Sequence, residues 1–176
     1  MIAEIRGRKL KLLFSSDEIL RRVAELGIQI TEDYRGKNPI LIGVLKGAFV
    51  FLADLMRHID LPMEVDFVRI SSYKSGMESG DIEFIMDVST PLGGRHVILV
   101  EDILDTGITL RFICDKILSR GPASFKICTL TDKKERRQVD IKADYVGFEI
   151  EEGFIVGYGI DWGEEGRNIP EIYVIE

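Results

Sequence analysis

The run His96-Val97-Ile98-Leu99-Val100 constrains this chain most. It is a short apolar strand with no polar alternation, followed at once by Glu101-Asp102 and then by a helical pattern. A strand that is apolar on both faces must be covered on both, which points to a parallel sheet between helices. The chain before it follows the same grammar. Residues 16–34 read as a helix, with Ser16 a plausible N-cap and Ile19, Val23, Leu26 and Ile30 on one face. Residues 39–45 read as a buried strand, 48–58 as a second helix and 64–70 as an alternating strand. Residues 74–81 are polar and glycine-rich and read as a loop, and 82–86 as a short strand. After the loop at 101–109, Leu110, Ile113, Cys114, Ile117 and Leu118 share a helical face, with Gly121-Pro122 as the stop. Further strands fall near 124–131, 145–150, 154–158 and 172–175. This succession predicts an α/β fold, a central, mainly parallel sheet flanked by helices, formed as one domain over residues 1–176. Ligands bind such sheets beyond the C-terminal ends of the strands.

Charge and composition narrow the partners. The net charge of −7 disfavours nucleic acid, whose phosphates need clustered Lys and Arg. It leaves room for a small anionic ligand held by backbone N–H groups, a divalent metal and a few local cations. No stretch approaches the roughly 18–20 apolar residues of a membrane span, and the N-terminus has no signal-peptide core, so a cytoplasmic location is expected. Cys114 and Cys128 lie in apolar, periodic surroundings and read as buried free thiols, which suit a reducing compartment. His58 and His96 are too far apart in sequence to suggest a structural zinc site with them.

The segment 101–109 carries the chemistry. Glu101, Asp102 and Asp105 are three acidic groups at the open end of a buried strand, a costly arrangement unless they meet ligand hydroxyls, a metal or water. Asp105, Thr106, Gly107 and Thr109 sit where a helix N-terminus exposes unpaired N–H groups, and their small or hydroxylated side chains let a phosphate approach. One loop thus offers carboxylates for sugar hydroxyls and amides for a phosphate. Simple capping of the helix by Asp105 or Thr106 is the competing explanation. Two other phosphate motifs are absent: there is no Gly-x-x-x-x-Gly-Lys-Ser/Thr, and Gly157-Tyr158-Gly159 lacks the third glycine of a dinucleotide loop.

Residues 97–110, Val-Ile-Leu-Val-Glu-Asp-Ile-Leu-Asp-Thr-Gly-Ile-Thr-Leu, resemble the phosphoribosyl pyrophosphate signature of the type I phosphoribosyltransferases. Leu45-Lys46-Gly47, Ser71-Ser72-Tyr73, Thr131-Asp132-Lys133 and residues 154–161 resemble, in the same order, the hypoxanthine-guanine members of that family. The resemblance runs from about Leu12 to Val174. It implies the family fold with a small hood built from N- and C-terminal segments, and transfer of a 5-phosphoribosyl group from phosphoribosyl pyrophosphate to hypoxanthine or guanine, releasing pyrophosphate. It also implies magnesium as cofactor and a homodimer or homotetramer.

The resemblance implies residue roles as well. Asp105 becomes the general base or electrostatic partner at the purine imidazole. Glu101 and Asp102 bind the ribose hydroxyls directly or through hydrated magnesium, and Thr106, Gly107 and Thr109, with the amides of 105–109, bind the 5-phosphate. Lys46 and Gly47, after a cis peptide, and Arg167 meet pyrophosphate. Ser72 and Tyr73 begin a lid. Lys133 donates to the purine 6-oxo group, with Lys134 as the alternative one position on. Phe154 stacks on the base, Ile155 meets its edge through the backbone, and Asp161 binds the magnesium of the pyrophosphate near the purine 2-position. On pattern alone, Lys46 is a turn residue, Arg167 a surface arginine, Phe154 a core aromatic, and 133–137 an ordinary solvated stretch. The alternative is a relative of the pyrimidine-operon regulators, which bind RNA and have uracil phosphoribosyltransferase activity. That reading wants a basic face, which an acidic chain does not suggest.

Overall fold

The computed structural model describes residues 4–72 and 82–176. It opens with a hairpin, β1 (Glu4–Ile5) and β2 (Arg8–Phe14), which has no counterpart among the expected elements. Helix α1 (Ser16–Asp33) follows, and its N-cap is Ser15 rather than Ser16. Glu18 decides between the two serines. It stands three residues after Ser15, so the Ser15 side chain takes the Glu18 N–H while the Ser15 N–H donates to the Glu18 carboxylate at 2.9 Å. Ile19, Val23, Leu26 and Ile30 are fully buried along the inner face of α1, each worth about 1.5–3 kcal/mol relative to exposure.

The central sheet is built from β3 (Ile40–Leu45), β4 (Glu64–Ser72), β5 (Ile82–Met86), β6 (His96–Leu104), β7 (Ser124–Lys133) and β8 (Tyr145–Ile150). Helix α2 (Phe49–Arg57) joins β3 to β4, and α3 (Ile108–Leu118) joins β6 to β7. The strand order is β5-β4-β3-β6-β7-β8, parallel throughout except for antiparallel β5 at the edge. Leu41, Ile98 and Val100 pack with α1 and α2 on one face, and Ile40, Ile42, Val97 and Leu99 pack with α3 on the other. Burial on both faces is why these strands carry no polar alternation.

Several boundaries differ from the sequence expectation. β6 does not stop at Val100, because β7 also runs on and supplies ladder partners: Glu101 lies opposite Thr129, Ile103 opposite Thr131 and Leu104 opposite Asp132. Leu118 is exposed at the last position of α3, whose buried stripe ends at Ile117. The strand expected over 154–158 shrinks to β9 (Ile155–Val156), since Gly157 and Gly159 turn the chain with φ of 114° and 97°.

The hood is a second sheet, ordered β1-β2-β10-β9 with antiparallel pairing, where β10 (Ile172–Ile175) lies between β2 and β9. It combines the two ends of the chain, as expected. Cys114 and Cys128 are buried and free, and burial pushes the Cys114 thiol up to about 12. No helix among the described residues is long and apolar enough to cross a membrane.

The order β4-β3-β6 makes a switch point. From β3 the chain moves outward to β4, then returns to the other side of β3 as β6. A crevice opens at the C-terminal ends of β3 and β6 in such a sheet. Lys46-Gly47 and the segment 101–109 are the two loops that border it.

Candidate active site

The Glu101–Gly107 stretch, with Thr109 and Leu110, lines a pocket of about 200 Å³. The N-cap of α3 is Gly107, left-handed at φ 80°, and no side chain caps the helix. Neither Asp105 nor Thr106 is therefore a cap, and the first-turn amides remain open to a ligand. A Cβ at Gly107 would also crowd the Ile141 and Val139 methyls.

Glu101 is only 7% exposed. Its carboxylate accepts the Asp102 N–H at 3.0 Å, and the Asp102 carboxylate accepts the Ile103 N–H at 2.9 Å. Burial first, then the neighbouring Asp102 charge, raises the Glu101 carboxyl well above the usual carboxylate range. Across the switch point, Gly47 lies so close to Asp102 that a Cβ there would collide with its carboxylate. The Leu45–Lys46 peptide is cis.

The C-terminal turns join the crevice. A Cβ at Gly159 would collide with the Gly47 carbonyl. Arg167 donates to the Gly159 carbonyl at 2.8 Å and pairs with Asp161 at 2.7 Å. Glu164 sits between Lys46, at 2.9 Å, and Arg167, at 3.4 Å. The Lys46 ammonium, then Arg167, holds the Glu164 carboxyl below its ordinary range.

The two lysines in question separate clearly. Lys133, the last residue of β7, is 8% exposed, with its ammonium 3.3 Å from Glu135. Lys134 is exposed and pairs with Glu149 at 2.8 Å. Phe154 is not a core aromatic: it is exposed and lies tilted against Trp162, ring centroids 6.3 Å apart. Ile155 is buried in β9.

Residues 12–162 match the family described as the phosphoribosyl transferase domain. The chain belongs to that family. The hypoxanthine-guanine phosphoribosyltransferase of Aquifex aeolicus is 51% identical over 175 residues, 98% of this chain and 98% of that protein. A solved hypoxanthine-guanine phosphoribosyltransferase from Bacillus anthracis, with HEPES in its active site, is 43% identical with a TM-score of 0.90, covering 97% of this chain and 99% of that one. A hypoxanthine phosphoribosyltransferase from Staphylococcus aureus is 41% identical with a TM-score of 0.90, covering 94% and 91%. The fold is thus the type I phosphoribosyltransferase fold, a mainly parallel six-stranded sheet with its hood.

Two buried side-chain atoms of this phosphoribosyltransferase have no hydrogen-bond partner among the described residues: Asp105 Oδ1, an acceptor, and Arg167 Nε, a donor. Buried polar atoms are normally paired, so each is a candidate contact for a group that the described residues do not supply. The other oxygen of Asp105 is 3.7 Å from Arg136. The described residues do not gather Glu101, Asp102 and Asp161 into one cluster of three metal-ligating groups. Ser72 ends β4, and Tyr73, the other expected lid residue, lies outside the described residues.

Sequence reasoning missed Arg137. It stands in a charged run that looks solvated, yet it donates to the carbonyls of Asp105 at 2.7 Å, Leu104 at 3.0 Å and Ile141 at 2.7 Å. It also pairs with the buried Asp132 carboxylate. Nothing in the local pattern signals this, because the Asp105 and Leu104 carbonyls lie 32 and 33 residues away in sequence.

The buried Glu101 makes a stability prediction. Its carboxyl is raised by folding, so its stabilising contribution is present below the unfolded value, near 4.5, and is lost as pH rises through the folded value. At neutral pH, Glu101→Gln is therefore expected to raise the ligand-free melting temperature, by about 2–4 °C per kcal/mol of strain relieved. Thermal melts of both proteins across acid to neutral pH check this; a gain that grows toward acid would reverse the assignment.

Proposed function

We propose that the chain transfers the 5-phosphoribosyl group of phosphoribosyl pyrophosphate to hypoxanthine or guanine, giving IMP or GMP and pyrophosphate in purine salvage. The observation that carries this reading is the unpartnered, buried Asp105 Oδ1 beside a helix N-terminus whose amides are uncapped. A purine imidazole N–H supplies the missing donor, and a 5-phosphate satisfies the amides. The names and high identity of the full-length relatives support the same activity.

In the reaction, the bond from ribose C1 to pyrophosphate breaks, with its electron pair leaving on the pyrophosphate oxygen. A purine ring nitrogen forms the new bond to C1. As the C1–O bond breaks, the negative charge of Asp105 offsets the positive charge that grows on the ribose ring; as the new bond to C1 forms, Asp105 takes the imidazole proton and becomes neutral. Thr106, Gly107 and Thr109, with the amides of 105–109, hold the 5-phosphate. Lys46, the Gly47 main chain and Arg167 hold the pyrophosphate. The Glu164 carboxylate between Lys46 and Arg167 supports this, because it occupies a position suited to an anion.

Lys133 donates to the 6-oxo group, a role that its burial at a strand end supports. Exposure of Phe154 supports stacking on the base, while Ile155 meets the base edge through its backbone. Glu101 and Asp102 are oxygen donors suited to ribose hydroxyls or to hydrated magnesium, and Asp161 to the magnesium of pyrophosphate. Magnesium takes one or two carboxylates together with substrate oxygens and water, so scattered carboxylates suit it. Bound there, it would neutralise charge on the departing pyrophosphate. The chain acts as one catalytic domain, in a homodimer or homotetramer. The pyrimidine-regulator alternative has no supporting observation.

The test is an assay with phosphoribosyl pyrophosphate, magnesium and each of hypoxanthine, guanine, xanthine, adenine and uracil. Conversion of hypoxanthine or guanine is expected. Conversion of uracil alone, or of none, would sink the reading.

A further inference from the structure

We propose that Arg137 is a positioning residue for the transfer reaction: its guanidinium orients the phosphate loop by holding the carbonyls of Leu104 and Asp105. Its catalytic readout rests on the function proposed above; its ligand-binding readout does not.

The argument starts from the peptide plane. In a trans peptide the carbonyl of one residue and the N–H of the next lie in one plane and point in opposite directions. Among the described residues the one cis bond is Leu45–Lys46, so the loop peptides are trans. Arg137 Nη2 holds the Leu104 carbonyl at 3.0 Å, and Nε holds the Asp105 carbonyl at 2.7 Å. The next peptide is held in the same way, by the Gln138 N–H on the Thr106 carbonyl at 2.9 Å. Three successive carbonyls are thus fixed on the 137–138 side. The N–H groups of Asp105, Thr106 and Gly107 are thereby turned to the opposite side, as an anion-binding loop requires.

Arg137 is itself held. Nη1 donates to the Ile141 carbonyl at 2.7 Å, and Nη2 pairs with Asp132, whose side chain is 8% exposed. Asp132 adjoins Lys133 on β7. One guanidinium therefore joins the loop that meets the sugar phosphate to the strand end that meets the base. Only arginine offers five donors in a rigid fork; a lysine in its place has one ammonium on a flexible stem and cannot hold four acceptors at once.

The experiment compares Arg137→Lys and Arg137→Ala with the unaltered chain. Three quantities are read: melting temperature, calorimetric affinity for ribose 5-phosphate, and kcat with KM for phosphoribosyl pyrophosphate and for the purine separately. For Arg137→Lys, the expected result is about 10- to 100-fold weaker ribose 5-phosphate binding, the size of lost hydrogen bonds to a charged group. KM for phosphoribosyl pyrophosphate should rise and kcat fall, with KM for the purine moving least. Added guanidinium ion, below concentrations that unfold the chain, should partly restore ribose 5-phosphate affinity to Arg137→Ala; if that variant does not fold, Arg137→Lys decides alone. A folded Arg137→Lys with unchanged affinity and kinetics overturns the proposal, as does a lowered melting temperature with no change in either. If the unaltered chain converts no oxopurine, the proposed function fails while the affinity comparison still judges Arg137. If it binds no ribose 5-phosphate, both readings fall.

Discussion

Asp105→Asn is expected to lower kcat by about 10²–10⁴-fold, the usual worth of general acid–base help, with far less effect on nucleotide binding. The separation follows from how the residue is held. Its main-chain carbonyl is tied to Arg137, so an isosteric side chain leaves the loop in position. What changes is the buried Oδ1, which has no donor of its own. Asparagine can still accept a hydrogen bond there, but it cannot take the proton, and it carries no charge to offset the one growing on the ribose. Turnover measured beside calorimetric affinity for IMP distinguishes the two effects. Equal turnover would remove Asp105 from the chemistry, and equal losses in both quantities would make it a binding residue.

What could be read in the sequence, and what could not, divides along the range of the interactions. The buried strands were legible as unbroken apolar runs, and the inner face of α1 because burial on one face imposes a period that a few consecutive residues display. The loop at 101–109 was legible as a candidate site for a different reason: its amides, small residues and carboxylates all lie within one strand-to-helix turn. Interactions that need a distant partner were not. β6 extends through Glu101–Leu104 because β7 continues alongside it, and loss of apolar character at Glu101 suggested an end where the ladder goes on. The β1–β2 hairpin is completed by β10 from the other end of the chain, so its own residues do not announce it. Phe154 looked like core since an aromatic in an apolar run usually is, yet the glycines at 157 and 159 turn the chain away after only two paired residues. Arg137 is the sharpest case. Its neighbours in sequence are charged and largely exposed, and only the fold brings the carbonyls of Leu104 and Asp105 to it.

Lys133→Ala is expected to cost about 10- to 100-fold in turnover of an oxopurine, the worth of a hydrogen bond from a charged donor, whereas Lys134→Ala is expected to cost almost nothing. The resemblance favoured Lys133 with Lys134 as the alternative one position on, and burial separates the two. Lys133 is 8% exposed at the C-terminal end of β7, on the same rim as the β6 loop. Lys134 points into solvent and pairs with the exposed Glu149, an interaction of a kind worth about 0–1 kcal/mol. The base comparison makes the prediction specific to recognition rather than to folding. An ammonium donates to a 6-oxo group but meets another donor on the 6-amino group of adenine. Removing Lys133 should therefore lower hypoxanthine turnover and narrow the gap between hypoxanthine and adenine, while a folding defect would lower both together. Parallel assays of the two variants with both bases, alongside melting temperatures, read this directly. Loss of oxopurine turnover in Lys134→Ala with retention in Lys133→Ala would move base recognition to the exposed lysine.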